Sequence, residues 1–439
     1  MEVDTRPGRS ARPHPPYRTV ITATLMGFAL LGDSMLYAVL PARAPEAGVT
    51  AVQVGILLSV NRWVRLVTNS LAGRTGERVG WSWAFVAALW LGAATTAVYG
   101  LASSFWLLLA ARLAWGLSWS FQRLAAFGAI IADSSPADRG RLAGLANGVF
   151  RLGSLVGALA GGLLTDAVGF RPTLWLFAGI SGAGALAATW GALRRPDLSP
   201  PHRLNGPAAP PARRVGGPTA PAGDGPPPVR RAALYLGAFA TQLVVSGLVT
   251  ATMGLLVVRR LGTMVNLPGF VLGAASFSGV MLTARWLVDL ALGAPLGALS
   301  DRMGRDRTLA AAVGLCIVGL LALSVARSAG AVAGGAALVW LTGTTLAATL
   351  DARAAEWAGS RPERTLARYT TAADTGAALG PLLGTLLAER WDLAVAYRAA
   401  AGILTAFWLV HAAAAFRRSR DGSTPPPVRP DPLAPPSGP

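Results

Sequence analysis

Five ionisable residues stand deep inside long apolar runs of this chain: Asp33, Arg62, Arg65, Arg112 and Arg151. A charge buried in hydrocarbon costs roughly 3 kcal/mol or more, so such a residue faces a cavity or a partner rather than lipid. Each lies nine to fourteen residues into its run. At ~1.5 Å rise per residue, that is near the middle of a bilayer. Polar neighbours extend these faces. Asn61, Arg65 and Asn69 fall at i, i+4, i+8, and Asn147 and Arg151 at i, i+4. Tyr37 shares a helical face with Asp33, and Gln242 shares one with Ser246 and Thr250. Four deep arginines against one deep aspartate leave a surplus of +3 if all are ionised. Carbonyls, water or an anionic ligand must supply the balance. Asp33 is the only deep acid and so the expected proton carrier; nearby arginines favour its ionised form and desolvation opposes it. Arg123, Arg285, Asp289 and Asp374 fall nearer the inner ends of their runs, where they can snorkel or pair locally.

The elements that must position these residues follow from composition. The 439 residues are 53% hydrophobic and 14% charged, against about 25% charged in soluble domains. Apolar runs recur at 19–41, 52–72, 81–101, 103–132, 142–165, 172–193, 232–258, 268–296, 307–327, 329–350, 369–388 and 394–416. Each is long enough to cross ~30 Å of hydrocarbon as a helix. Pro172 and Pro268 sit where helices are expected to start, and Pro41 where one ends. The expected fold is therefore all-α and integral to the membrane. Twelve transmembrane helices fall in two six-helix halves, 19–193 and 232–416. A segment with eleven prolines, 194–231, reads as a disordered cytoplasmic linker, and 1–18 and 417–439 as disordered cytoplasmic tails. No cleavable signal peptide is expected, because 1–18 are polar and no small-residue cleavage motif follows the first apolar run.

All 39 basic residues are arginine and the net charge is +18. They lie in short runs between apolar blocks rather than on one basic face, which argues against a nucleic-acid partner. With the N-terminus inside, and arginines near the run ends counted with the adjoining connection, 26 arginines fall in the tails and inner connections and 7 in the outer ones. That bias predicts an N-in, C-in chain in the cytoplasmic membrane. Cys316 is the only cysteine, and the three histidines are far apart, so no disulfide, metal or other cofactor is expected. No G-x-x-x-x-G-K-[ST] loop for nucleotide is present.

One pattern occurs twice. Gly73-Arg-Thr-Gly-Glu77-Arg78-Val-Gly80 lies between the second and third runs. Gly297-Ala-Leu-Ser-Asp301-Arg302-Met-Gly304-Arg305 lies between the eighth and ninth, 224 residues later. Both read G-x-x-x-[D/E]-R-x-G. With the twelve runs and the long middle loop, the chain resembles the major facilitator superfamily, whose signature loop is G-x-x-x-D-R-x-G-R-R. The second copy is the fuller match; in the first, Glu77 replaces aspartate and Trp81-Ser82 the final basic pair. Arg112-Leu-Ala-Trp-Gly116 resembles the family's R-x-x-x-G signature of the fourth span. Gly153, Gly157, Gly161 and Gly162 resemble the G-x-x-x-G-P-x-x-G-G signature of drug:proton antiporters, with Ala158 in place of the proline. The eleventh run restores part of it with Gly376, Gly380, Pro381 and Gly384.

The resemblance implies a secondary transporter that moves a small molecule by alternating access, with proton-coupled export preferred. It also implies that the repeated loop latches the two halves on the cytoplasmic side. Asp33 and Arg112 are the preferred pair, since the family fold brings spans one and four together. Asp33, Tyr37, Arg62, Arg65, Arg112, Asn147, Arg151 and Gln242 are the expected substrate and proton site. The expected partners are the bilayer, a small-molecule substrate and protons, and the chain is expected to be a monomer. An organic-anion permease is the first rival, favoured by the arginine surplus. A non-transporting sensor or scaffold is the second, and both latch loops argue against it. A membrane-embedded enzyme is disfavoured because no nucleophile–base or metal constellation is visible.

Overall fold

The computed structural model describes residues 16–135, 138–195, 228–357 and 362–421, with side chains at 70, 77, 228, 362–364 and 414–421 outside that description. The first helices are α1 (Tyr17–Val39), α2 (Ala51–Val79), α3 (Trp81–Leu101), α4 (Phe105–Asp133), α5 (Arg139–Val168) and α6 (Phe170–Arg194). Next comes a long rod of α7 (Pro228–Thr241), a π-helical stretch (Gln242–Val249) and α8 (Thr250–Leu261). A two-stranded antiparallel hairpin follows, β1 (Met264–Leu267) and β2 (Phe270–Gly273), with Met264 opposite Gly273. The chain then forms α9 (Ala274–Met303), α10 (Arg305–Val325), α11 (Ala329–Trp357), α12 (Pro362–Arg390) and α13 (Leu393–Asp421).

Local chemistry fixes these boundaries. Thr50 and Gln53 form a reciprocal capping box at the start of α2. Ser104 accepts from the Leu107 N–H and caps α4. Gly80 and Gly304 each join two helices as the single intervening residue, at φ +94° and +89°. A side chain at that φ is strained, which accounts for the last glycine of both copies of the repeated loop.

Each apolar run lies on one of these rods, with four corrections at the edges. The eighth helix does not begin at Pro268; residues 264–273 form the hairpin, and α9 starts at Ala274. The linker expected at 194–231 is shorter, since α6 includes Arg194 and α7 begins at Pro228. Helix α1 takes in Tyr17 and Arg18 from the expected N-tail. Helix α13 extends through 417–421 of the expected C-tail. The rest of the linker and tails lies outside the described residues.

Among the described residues, nine rods are long and apolar enough to cross a membrane; α2, α4 and α12 are not among them. Those three carry the polar load: Asn61, Arg62 and Arg65 on α2, Arg112, Gln122 and Arg123 on α4, and a threonine-rich first half in α12. The outer surface is strongly apolar, with Trp83, Trp90, Trp106, Trp175, Trp190, Leu186 and Leu409 exposed. Such a surface suits a hydrocarbon surround.

Helices α1–α6 pack chiefly on one another, through the pairs α1–α5, α3–α6 and α2–α4. The later helices do the same through α10–α11, α10–α13 and α12 with the π-helical stretch. The two groups meet along α5–α9 and α2–α12. Small residues allow the closest approaches. A Cβ at Gly157 would meet the Leu31 carbonyl oxygen at 2.6 Å, and Gly153 lies against Gly27. In the second group Gly376 and Gly380 lie against the backbone of Phe239 and Leu243, and Gly384 against Leu248. Gly161 packs on Met35, whereas Gly162 faces Ala275 and Gly279 of the other group.

Candidate functional site

A cavity lies where the two groups face each other. It has two adjoining lobes of about 610 and 580 Å³, which share Arg62, Arg151, Ser246, Arg285, Trp286 and Asp289. Asp33, Tyr37, Arg62, Arg65, Asn147 and Arg151 line the first lobe, and Gln242 lines the second. Arg112 is the exception among the residues expected there. It is 1% exposed and sits behind Asp33, outside the lining.

Asp33 and Arg112 form a buried ion pair between α1 and α4. The Arg112 Nε donates to the Leu57 carbonyl at 3.0 Å, and its guanidinium lies 5.4 Å from the Tyr37 ring centre and 6.0 Å from that of Tyr99. Its Nη2 has no hydrogen-bond partner among the described residues. The Tyr37 hydroxyl donates to the Leu58 carbonyl at 3.1 Å and to Asn61 Oδ1 at 3.3 Å, which ties α1 to α2 beside the pair.

Arg285 is a correction to the depth reading. It is 8% exposed, donates to Thr250 and, at 2.9 Å, to Ser246, and lines both lobes. Counting from Pro268 placed it near the inner face; counting from Ala274 places it mid-helix. Asp289, one turn further on, accepts from Thr344 at 2.5 Å and lies 4.0 Å from Arg151. Arg123 and Asp374 also line the cavity. Asp351 does too, one residue past its predicted run, and accepts from Tyr369 at 2.6 Å. Trp115, Trp119 and Trp286 add aromatic surface. The π-helical stretch widens the backbone so that Gln242, Ser246 and Thr250 reach the cavity.

One end of the cavity is closed by a matched pair of links. Asp166, at the end of α5, accepts from the Ser276 N–H of α9 at 2.7 Å and pairs with Arg43 at 2.6 Å. Glu389, at the end of α12, accepts from the Val52 N–H of α2 at 2.8 Å. Beside it Arg259 donates to the Ala388 carbonyl at 2.7 Å, and Arg260 pairs with Asp392 at 2.7 Å. Burial works against the charge on Arg43, but its bonds to Asp166 and Glu46 outweigh this and raise its pKa. Burial also opposes ionisation of Asp392, yet the Leu393 N–H and Arg260 hold its carboxyl below the ordinary value.

The opposite end is splayed. Among the described residues, the bonds and ion pairs between the groups stop at Arg151–Asp289. The repeated loops lie beyond that point. Among the described residues, a Cβ at Gly73 would meet nothing within 4 Å, and one at Gly297 only the Ala348 side chain at 4.0 Å. The helix ends that carry these loops stand apart. Arg305 pairs with Asp301 at 2.9 Å and Glu356 at 2.7 Å, within its own group. Arg78 and Arg302 make no ion pair among the described residues, and the Glu77 side chain lies outside them.

An apolar-coated helical bundle around a charged cavity, sealed at one end, defines a polytopic membrane protein with a central polar site. The sequence profile of the Major Facilitator Superfamily matches residues 22–289 and again 234–438, and the chain belongs to that superfamily. Members of the superfamily are transporters, not enzymes. A probable vesicular acetylcholine transporter-B of Danio rerio is 30% identical over 157 residues, 33% of this chain and 32% of that one. The human synaptic vesicular amine transporter is 31% identical over 119 residues, 27% of this chain and 23% of that one. The chain thus spans about a third or less of the curated relatives it matches. A bacterial homolog of the human lysosomal transporter Spinster, inward-facing and unoccupied, superposes with TM-score 0.64 at 15% identity, covering 93% of this chain and 98% of that one. The human organic anion transporter MFSD10 (TETRAN) does so with TM-score 0.56 at 18% identity, over 91% and 100%. At these identities the likeness is one of fold.

Proposed function

We propose that this protein is a secondary active transporter that exports a small molecule across the cytoplasmic membrane in exchange for protons. The chain crosses the membrane twelve times, as two six-helix halves that rock about the cavity. Both termini are cytoplasmic, which the arginine bias supports. On that orientation the splayed end opens inward and the Asp166 and Glu389 links are the outer gate. The observation that carries the reading is Asp33: a cavity-lining carboxylate on α1, paired with an arginine that is itself shielded from the cavity. Proton arrival at Asp33 weakens that pair, and re-pairing expels the proton. The likeness of the glycine faces to drug:proton antiporters supports the exchange mode. The repeated loops at 73–80 and 297–305 are the cytoplasmic latch, open in this conformation. Purified protein in liposomes tests the reading: a compound library is scanned for substrate-dependent proton flux, with Asp33→Asn as control. Library compounds that accumulate without any proton movement would refute proton coupling.

One observation favours a second reading, an organic-anion permease. Among the described residues, Arg62 and Arg65 make no ion pair or hydrogen bond, and the Arg62 Nε is buried without an acceptor.

A further inference from the structure

The body of the protein is a repeat, but the charge of its cavity is not. The register that sets Gly73 on Gly297 also sets Arg65 on Asp289, 224 positions apart. The register that sets Gly153 on Gly376 sets Arg151 on Asp374, 223 positions apart. At both places an arginine of the first repeat has become an aspartate in the second. The cavity follows suit. Its first-repeat wall carries Arg62, Arg65, Arg123 and Arg151, with Asp33 matched by Arg112. Its second-repeat wall carries Asp289, Asp351 and Asp374, and its one arginine, Arg285, is held by Ser246 and Thr250.

Several of these charges lack an ionic partner. Among the described residues, Arg62, Arg65 and Arg123 make no ion pair, and the Arg62 Nε is buried without an acceptor. Among the described residues, Asp374 has no bonded partner and Asp351 has only the Tyr369 hydroxyl. Asp374 acts electrostatically on Arg65 and Arg123 without reaching either. Two walls of opposite sign therefore face each other across a gap, with Trp115, Trp119 and Trp286 along it. Arg123, Asp351 and Asp374 are exposed to the cavity and Arg62 and Arg65 partly so, and a ligand that supplies both counter-charges pairs with both walls. A simple anion leaves Asp351 and Asp374 facing its charge; a simple cation meets the arginines.

We infer that the cavity takes a dipolar substrate, an aromatic or apolar molecule that carries both an acidic group and an amine. The acidic group sits on Arg62, Arg65 and Arg123, and the amine on Asp351 and Asp374. This rests on the transport reading, since it assigns the substrate of the same cavity, but it is tested by binding alone. A lobe of about 600 Å³ is ample for a molecule of indole size.

The experiment uses full-length protein in detergent and three matched probes: tryptophan (dipolar), indole-3-propionate (anionic) and tryptamine (cationic). Cys316 is fully buried, so a thiol-reactive fluorophore reports unfolding, and ligand stabilisation is read as a rise in Tm. Tryptophan is expected to stabilise at a concentration about tenfold or more below either other probe. Asp351→Asn with Asp374→Asn is expected to erase its advantage over indole-3-propionate. Arg62→Gln with Arg65→Gln is expected to erase its advantage over tryptamine. Each variant's own transition shows whether it is folded, and the wild-type order alone already decides. Indole-3-propionate binding as well as tryptophan, an order unmoved by the variants, or no stabilisation by any probe up to on the order of 10 mM overturns the inference. Failure of proton flux with the tryptophan order intact would instead refute the transport reading.

Discussion

Replacing Asp33 with asparagine and Arg112 with methionine, singly and together, probes the two sides of one ion pair that sit in different surroundings. Arg112 is sealed away from the cavity, with the Leu57 carbonyl and two tyrosine faces as its other contacts. Asp33 borders the cavity and can be reached by water or a proton. Breaking a buried pair from one side costs about 3–5 kcal/mol when the remaining charge is stranded. In Asp33→Asn the stranded group is the guanidinium. The tyrosine faces offset about 1 kcal/mol and the asparagine oxygen still accepts, which leaves a cost of roughly 2–3 kcal/mol. In Arg112→Met the stranded group is a carboxylate at the cavity wall, which can hydrate or protonate, so the cost falls to roughly 1–2 kcal/mol. The double variant strands nothing, and its loss should be about 2 kcal/mol smaller than the sum of the two.

The assay is thermal unfolding in detergent read through Cys316. Asp33→Asn is expected to lower Tm by roughly 5 °C, Arg112→Met by less, and the double variant by less than their sum. Additive shifts, or Arg112→Met as the costlier change, would refute the reasoning. Transport separates the functional role from a structural one. If Asp33 carries the proton, Asp33→Asn binds substrate but loses proton-coupled flux. The charge-swapped Asp33→Arg, Arg112→Asp protein recovers stability without recovering transport. A swapped protein with wild-type transport would reduce the pair to a staple between α1 and α4.

Gly157→Leu drives a side chain into the Leu31 carbonyl. It is expected to cost about 3 kcal/mol and to show as loss of folded protein by size-exclusion chromatography. Asp166→Asn with Glu389→Gln removes both carboxylates of the sealed end. A cysteine at Ser34 should then be labelled by a membrane-impermeant thiol reagent from outside roughly tenfold faster; an unchanged rate would count against the gate. Asp301→Asn or Gly297→Leu is expected to lower transport more than substrate affinity if the loops are the proposed latch, which would act on the conformational equilibrium. Binding tens of times weaker in both conformations would contradict that role.

The sequence made the rods and most of the cavity legible through one rule: charge does not face lipid. Asp33, Tyr37, Arg62, Arg65, Asn147 and Arg151 come together on one lobe because a mid-run polar residue has nowhere else to go. The rule failed where depth was miscounted. Pro268 looked like a helix start, but the chain turns through a hairpin there, and the six-residue shift moved Arg285 to the middle of its helix. Asp351 was lost by a single residue at the end of its run. Arg112 was placed at the right depth, but periodicity around one helix does not tell whether a side chain reaches the cavity or stops behind a neighbour's carboxylate.

The sealed end was readable by a different route, the register of the repeat. Glu389 follows Asp166 by 223 positions, the same offset that relates Gly153 to Gly376, Gly157 to Gly380 and Gly161 to Gly384. Ser276 follows Val52 by 224, the offset of the two loops. In space each carboxylate caps the helix start of the other repeat: Asp166 the Ser276 N–H, Glu389 the Val52 N–H. A carboxylate on the exposed N–H groups of a helix start is favourable on both counts, hydrogen bond and dipole. Each bond is modest at a wetted surface, so the seal can break and re-form. The repeat supplies it twice, at equivalent points of the two contact lines α5–α9 and α2–α12, so the rocking motion proposed above would open both together. The same register keeps the gate symmetric while it turns Arg65 into Asp289 and Arg151 into Asp374 at the cavity. In the proposed cycle the repeated ends serve the motion, and the sign-reversed middle serves the ligand.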